Sequence, residues 1–203
     1  MADLANLPND ITPDHFFELV ESALADEPAP SGASPEKLLI HLNGDGGGTW
    51  ALGFQDGKLT AKKNVGEKDP PLQLSMTVDD WRAFVAGRVR DAVAAKVNVG
   101  FDAKQVAKLY RVTNKTDQVK AFKGNLQLVV EDKEKGGAHR VTLTFGGAGP
   151  VTDNPETTVS VDLEDFVGLA GGEINAQTAF FMGKIRLDGD MNLAMSLMAL
   201  AQG

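Results

Sequence analysis

The residue types that could do chemistry are few and far apart. Three histidines, His15, His41 and His139, share no HxxxH or HExxH spacing, so they form no zinc-type ligand set. "GDGGGTW" at 44–50 is glycine-rich like a phosphate loop, but a phosphate cradle needs a helix N-terminus after the glycines. The strand-like "TWALGF" follows instead, so the stretch is expected to be a turn. "DGD" at 188–190 lacks the later ligands and the bidentate glutamate of a calcium loop, and is expected to be a turn plus a helix cap. Asp79-Asp80 and Glu164-Asp165 fall in first helical turns, where negative charge favours the helix dipole; that local role accounts for them without acid–base catalysis. No cysteine is present, which removes disulfides, thiolate ligands and a Cys nucleophile, and no GxSxG elbow occurs. The expectation is a protein without catalytic residues, metal or cofactor.

Composition narrows the partners. The 203 residues are 42% hydrophobic and 24% charged, with a formal net charge of -8. That is enough apolar material for a core, and the negative balance disfavours phosphate backbones, so nucleic acid is not an expected partner. It also disfavours strong adsorption to anionic membranes, while leaving room for transient contact through an apolar patch. With no signal-like N-terminus, no peroxisomal tail at "AQG" and no cysteine, the expected location is cytoplasmic.

The elements alternate in an α+β pattern. "TPDHFFELVESALA" begins a helix with Thr12 as cap and Pro13 at the first position, its apolar face being Phe16, Leu19, Val20 and Ala23. After the loop "DEPAPSGAS", a strand is expected around Leu38–Leu42, then a strand pair in "TWALGFQDGKLTAKKN" turning at Asp56-Gly57. "GEKDPP" breaks the pattern before the strand "LQLSM". "TVDDWRAFVAG" gives a helix with Thr77 as cap, Asp80 as the matching acid and Gly87 as stop, burying Val78, Trp81, Phe84 and Val85. "AAKVNVGF" has strand character and "DAKQVAKLYRV" helical character.

The second half follows the same order: strands in "GNLQLVVED", "AHRVTLTF" and "TTVSV", then "DLEDFVGLAGG" as a helix capped by Asp162 and stopped at Gly171-Gly172. "GKIRLDG" is a strand and "DMNLAMSLMAL" a helix. Setting 72–87 on 157–172 pairs Ser75 with Ser160, Asp80 with Asp165 and Gly87 with Gly172; further on, Lys96 falls on Lys184, Asp102 on Asp190 and Leu109 on Leu197. Identities this sparse fit either a degenerate tandem repeat divided near 112–116 or the chance echoes of any α+β chain.

The last helix is apolar over most of its circumference. Met191, Ala194, Met195 and Met198 make one stripe, and Leu193, Leu197 and Leu200 another. Such a helix needs cover on more than one side. It is a core helix, the lid of a ligand cavity, or a surface for a partner, and flexible methionine suits any of these. Adjacent Phe180 and Phe181 cannot both point the same way, so one is expected in the core and the other toward a cavity or partner.

Residues 155–200 resemble the sterol carrier protein 2 lipid-binding domain family. The resemblance rests on a strand, a short capped helix containing "DF", a Gly stop, and an "NPQ-AF--GKLKI-GN--LA-KL" pattern. That pattern is met here by Asn175, Gln177, Ala179, Phe180, Gly183, Lys184, Ile185, Leu187, Gly189, Leu193, Ala194 and Leu197. Ala176 stands where a proline is usual and Asp190 where an asparagine is common. The first half fits only in outline and lacks the "AFF-GK" signature.

The resemblance implies a curved, mainly antiparallel five-stranded sheet with helices on one face; taken with the internal repeat, the expectation is two tandem α+β modules of this kind, 12–112 and 113–203. The resemblance also implies an apolar tunnel taking a sterol, fatty acid or acyl chain without chemistry. In this chain the tunnel walls would be Phe166, Leu169, Phe180, Phe181, Met182, Ile185, Leu187, Met191, Ala194, Met195 and Met198. The alternatives are a structural or protein-interaction module with filled tunnels, including a homodimer, and an accessory subunit presenting a lipid-like substrate to an enzyme.

Overall fold

A computed structural model describes residues 7–24, 38–64, 70–97, 116–147 and 149–202. Helix α1 (Pro13–Leu24) starts where the Thr12 hydroxyl accepts the His15 N–H, and it buries Phe16, Phe17, Val20 and Leu24. Strands β1 (Leu38–Asn43), β2 (Gly48–Gln55), β3 (Lys58–Lys63) and β4 (Leu72–Thr77) follow. Asp56 and Gly57 both take positive φ, 52° and 77°, which is the primed hairpin turn that joins β2 to β3. Helix α2 (Val78–Ala86) is capped as expected, Thr77 Oγ1 accepting the Asp80 N–H at 3.0 Å.

Helix α3 (Arg88–Val97) corrects one expectation: Ala94–Val97, assigned to a strand, end a helix. In "RVRDAVAAKV" the alanines favour helix, and Val89, Ala92 and Val93 fall on one face and pack inward. The expected helix in "DAKQVAKLYRV", the loop "DEPAPSGAS" and the division at 112–116 lie wholly or mostly outside the described residues.

The second half contributes α4 (Thr116–Ala121), β5 (Gly124–Asp132), β6 (Gly137–Phe145), β7 (Thr157–Asp162), α5 (Leu163–Ala170), α6 (Ala176–Phe181), β8 (Ile185–Asp188) and α7 (Met191–Gln202). The offset seen in the sequence recurs in space: β4 and β7 begin at 72 and 157, and α2 and α5 at 78 and 163.

All the described strands form one mixed sheet in the order β3-β2-β1-β4-β6-β5-β7-β8. β1 pairs antiparallel with β2 and parallel with β4; β5 pairs antiparallel with β6 and parallel with β7. The two groups are joined through β4 and β6, with Leu72 opposite Phe145 and Leu74 opposite Leu143. The expected pair of separate sheets is thus one continuous sheet. Next to β2 lies the first half's own β3, but next to β6 lies β4, on loan from the first half.

Strand alternation divides the sheet into two unlike faces. Leu38, Leu42, Trp50, Leu52, Leu59, Leu72, Leu126, Phe145, Val161 and Ile185 share the face covered by helices. In the first half aromatic rings fill it: Phe17 stacks on Trp50 with centroids 4.8 Å apart, and Phe16 meets Trp81 edge-on at 5.3 Å. The other face is mostly polar, with Leu39, Ala51 and Val129 as buried apolar residues among its polar side chains. Gln127 Nε2 donates to Thr142 Oγ1 at 3.0 Å, and the His41 ring is held between Thr49 Oγ1 and Gln73 Oε1.

Candidate functional site

The residues named as tunnel walls fall on three elements around β8. α5 carries Phe166 and Leu169, half-buried against a cluster built on Val130, Val161, Leu163, Val167, Ala179 and Ile185. Phe180, in α6, joins the same cluster, so "AFF" is helical and not part of a strand. Ile185 and Leu187 alternate onto the helix-covered face of β8; Ile185 is buried in that cluster, and Leu187 packs on the main core. α7 adds buried Ala194 and half-buried Met198 to the main core. Half-buried Val159 of β7 touches both clusters, so an apolar strip runs along β7–β8 from Phe166 to Met198.

Met195 is half-buried and belongs to neither cluster, while Phe181, Met182 and Met191 are 75, 62 and 53% exposed. Of the paired phenylalanines, Phe180 turns inward and Phe181 outward. Leu193, left out of the candidate set, is buried beside Ala194, and Leu197 follows one turn on; their spacing with Ala194 and Met198 marks the sheet-facing side of α7.

Polar contacts hold this frame in place. Lys184 bonds Asp165, tying the start of β8 to α5, and that bond raises the lysine pKa above its usual value. Arg186 donates to Glu131 Oε1 at 2.7 Å, joining β8 to β5, and its pKa is raised for the same reason. Asn175 caps α6 by accepting the Thr178 N–H. Asp190 caps α7, its Oδ1 accepting the Asn192 and Leu193 N–H groups, so "DGD" acts as turn and cap. Asp162 occupies the cap position of α5 but makes no cap bond; its Oδ2 takes Lys133 at 2.5 Å instead. A charged cleft of about 460 Å³ lies between α3, the β5–β6 turn and the start of α5, lined by Arg88, Lys96, Asp132, Lys133, Asp162 and Glu164 among others. None of the candidate apolar residues lines it.

The histidines take structural places. His15 is exposed near Glu18, His41 belongs to the polar face, and His139 lies 3.6 Å from Asp80. Among the described residues no group of three or more His, Asp or Glu could hold a metal ion.

Comparison with known families matches residues 103–202 to the model described as the SCP-2 sterol transfer family. This C-terminal half belongs to the SCP-2 sterol transfer family. The SCP-2 half therefore contains α4 to α7 and β5 to β8, and its sheet is flanked by β4 from outside the matched segment. Peroxisomal multifunctional enzyme A of Dictyostelium discoideum is 47% identical over 57 residues, 28% of this chain and 12% of that protein. Sterol carrier protein 2 of Oryctolagus cuniculus is 30% identical over 128 residues, 58% of this chain and 23% of that protein. The solution structure of sterol carrier protein domain 2 of Helicoverpa armigera is 27% identical with a TM-score of 0.36, covering 48% of this chain and 84% of that one. The chain spans about a quarter or less of the length of the curated relatives it matches.

Proposed function

We propose that the SCP-2 half binds a lipid, a sterol, fatty acid or acyl chain, along the apolar strip between β7–β8 and helices α5, α6 and α7, and transfers it without chemical change. The observation that carries this is the continuous strip from Phe166 and Phe180 through Ile185 and Leu187 to Ala194 and Met198, within the segment that belongs to the family. The ligand is an apolar chain because these walls offer carbon and sulfur and no converging polar group. Burying sixteen methylenes is worth roughly 13 kcal/mol gross at about 0.8 per CH₂. A bilayer offers the lipid a similar gain, so pick-up and release need only a small free-energy difference and no nucleotide.

The first module, taken as 12–112, is proposed to be a scaffold. The aromatic packing of Phe16, Phe17, Trp50 and Trp81 occupies the face that a ligand would need. The second module, 113–203, carries the binding. Delipidated protein titrated with a fluorescent fatty acid or sterol analogue should bind it saturably and release it to unlabelled competitor. Flat titrations across several lipid classes would overturn the proposal and favour an interaction module.

A further inference from the structure

The two outer edges of the sheet are built differently. On β3 the Ala61 N–H donates to Glu21 Oε1 of α1 at 2.5 Å, and Lys58, Lys62 and Lys63 punctuate the strand. A capped, lysine-rich edge is a usual defence against strand addition. β8 is the other edge. Among the described residues no strand pairs with its outer side, and exposed apolar side chains bracket it, Phe181 and Met182 before and Met191 after.

The segment across β8, "MGKIRLDGDM", is complementary to itself. Cations precede Leu187 and anions follow it. Consider a second β8 added antiparallel with Leu187 opposite Leu187. Arg186 of each copy then lies opposite Asp188 of the other, and Lys184 comes level with Asp190. A two-fold axis normal to the sheet keeps each side chain on its own face, so Arg186 and Asp188 remain on the polar face and Leu187 under the helices. Directly opposed residues on adjacent strands are close enough for Arg186 and Asp188 to pair, while Lys184 and Asp190 keep their bonds to Asp165 and to the start of α7.

The participants are available. Asp188 is exposed and has no ion pair among the described residues. Arg186 is half-exposed, and its bond to Glu131 uses one of the five N–H groups of the guanidinium. Antiparallel addition also reverses the ends, bringing Phe181 and Met182 of one copy toward Met191 of the other. Apolar surface exposed on the single chain is thereby gathered at the two ends of the new strand pair.

We propose that β8 is the interface of a two-fold dimer of this chain, extending the sheet across both copies in the Leu187-to-Leu187 register. The proposal does not depend on lipid binding. Sedimentation velocity of the full chain over a concentration series is expected to show a monomer–dimer equilibrium. Asp188→Arg, which sets a second guanidinium against Arg186 twice per dimer, is expected to weaken it about tenfold or more. Combining Asp188→Arg with Arg186→Asp restores opposite charges and is expected to restore the dimer. A wild-type chain that stays monomeric at every concentration overturns the proposal, as does a dimer that Asp188→Arg leaves unchanged. Should the double variant misfold, hydrogen exchange on the wild type decides: slowing of the β8 amides with concentration supports the interface, and concentration-independent exchange overturns it.

Discussion

Arg88 and Asp132 clasp the first half of the chain to the second. The Arg88 guanidinium, at the start of α3, donates from Nε to Asp132 Oδ2 at 2.8 Å and from a terminal nitrogen to Oδ1 at 3.4 Å. Asp132, at the end of β5, is buried and also accepts the backbone N–H groups of Glu134 and Lys135. The Arg88 bond first, and the two backbone donors after it, hold the Asp132 carboxyl below the usual carboxylate range against the opposing effect of burial.

That depression gives a pH dependence with a definite sign. A carboxyl whose folded pKa lies below its unfolded value of ~3.9 contributes stability that is complete at neutral pH. The contribution fades as pH falls below that unfolded value and is gone once the folded pKa is passed. Arg88→Met, which keeps the aliphatic stem and removes the charge, should therefore lower the melting temperature most at pH 7. The gap to wild type should narrow as pH falls below about 4, the unfolded value, and go on closing through the lower folded pKa. Thermal melts followed by circular dichroism across that range test this; a gap independent of pH would show that packing, not the ion pair, accounts for the loss.

Gly189 admits no side chain. Its φ is +106°, and a Cβ there would lie 2.2 Å from the Glu156 carbonyl oxygen and 2.8 Å from the Thr157 Cα. Backbone, which cannot swing aside, is what it would strike. Gly189→Ala is expected to destabilise the fold by about 2 kcal/mol or more, positive-φ strain supplying ~1–3 of that and displacement of β8 from β7 the rest. Urea unfolding measures the loss, and hydrogen exchange should show the β7–β8 amides opening first.

The loan of β4 predicts how the chain can be cut. Leu72, Leu74 and their neighbours cover one edge of β6 through the register with Phe145 and Leu143. Expressing 113–203 alone removes that cover and bares the edge of a strand nine residues long. Such an edge invites association. The fragment is expected to be aggregated or partly unfolded by light scattering and circular dichroism, while the full chain is folded. A monomeric fragment with native-like thermal unfolding would show that β4 is dispensable.

Local signals were legible in the sequence; their assembly was not. Thr77 and Asp190 cap their helices, Asp56-Gly57 turns the hairpin, and the spacing of Phe16 and Val20 marked the buried side of α1, because each depends on residues close in the chain. The shared sheet escaped because strand alternation says which face a residue takes but not which strand lies beside it. Nothing in "LQLSM" distinguishes a partner in its own half from β6. Ala94–Val97 misled because valines at alternate positions suit a strand, while the alanines and the inward packing of Val89 and Val93 decide for helix. At the candidate site the apolar residues were recognisable by type, and the choice between Phe180 and Phe181 waited on where α6 sits against Val161 and Ile185.

Met195 offers the cleanest single-residue test of the lipid-binding proposal. It is half-buried and packs into neither core cluster, unlike Ala194 and Met198 beside it, so a charge there should leave the fold standing. Placed against an apolar ligand, a carboxylate both removes the methionine contact and must be desolvated, and together these are worth at least about 1.4 kcal/mol, or tenfold in affinity. Met195→Asp is therefore expected to bind a fluorescent fatty acid about tenfold or more weaker than wild type, with thermal stability lowered by under about 1 kcal/mol. Met195→Leu, which keeps volume and polarity, should bind within about threefold of wild type. If the aspartate variant stays folded and binds as well as wild type, the ligand does not reach Met195, and α7 is not a wall of the binding site on that side.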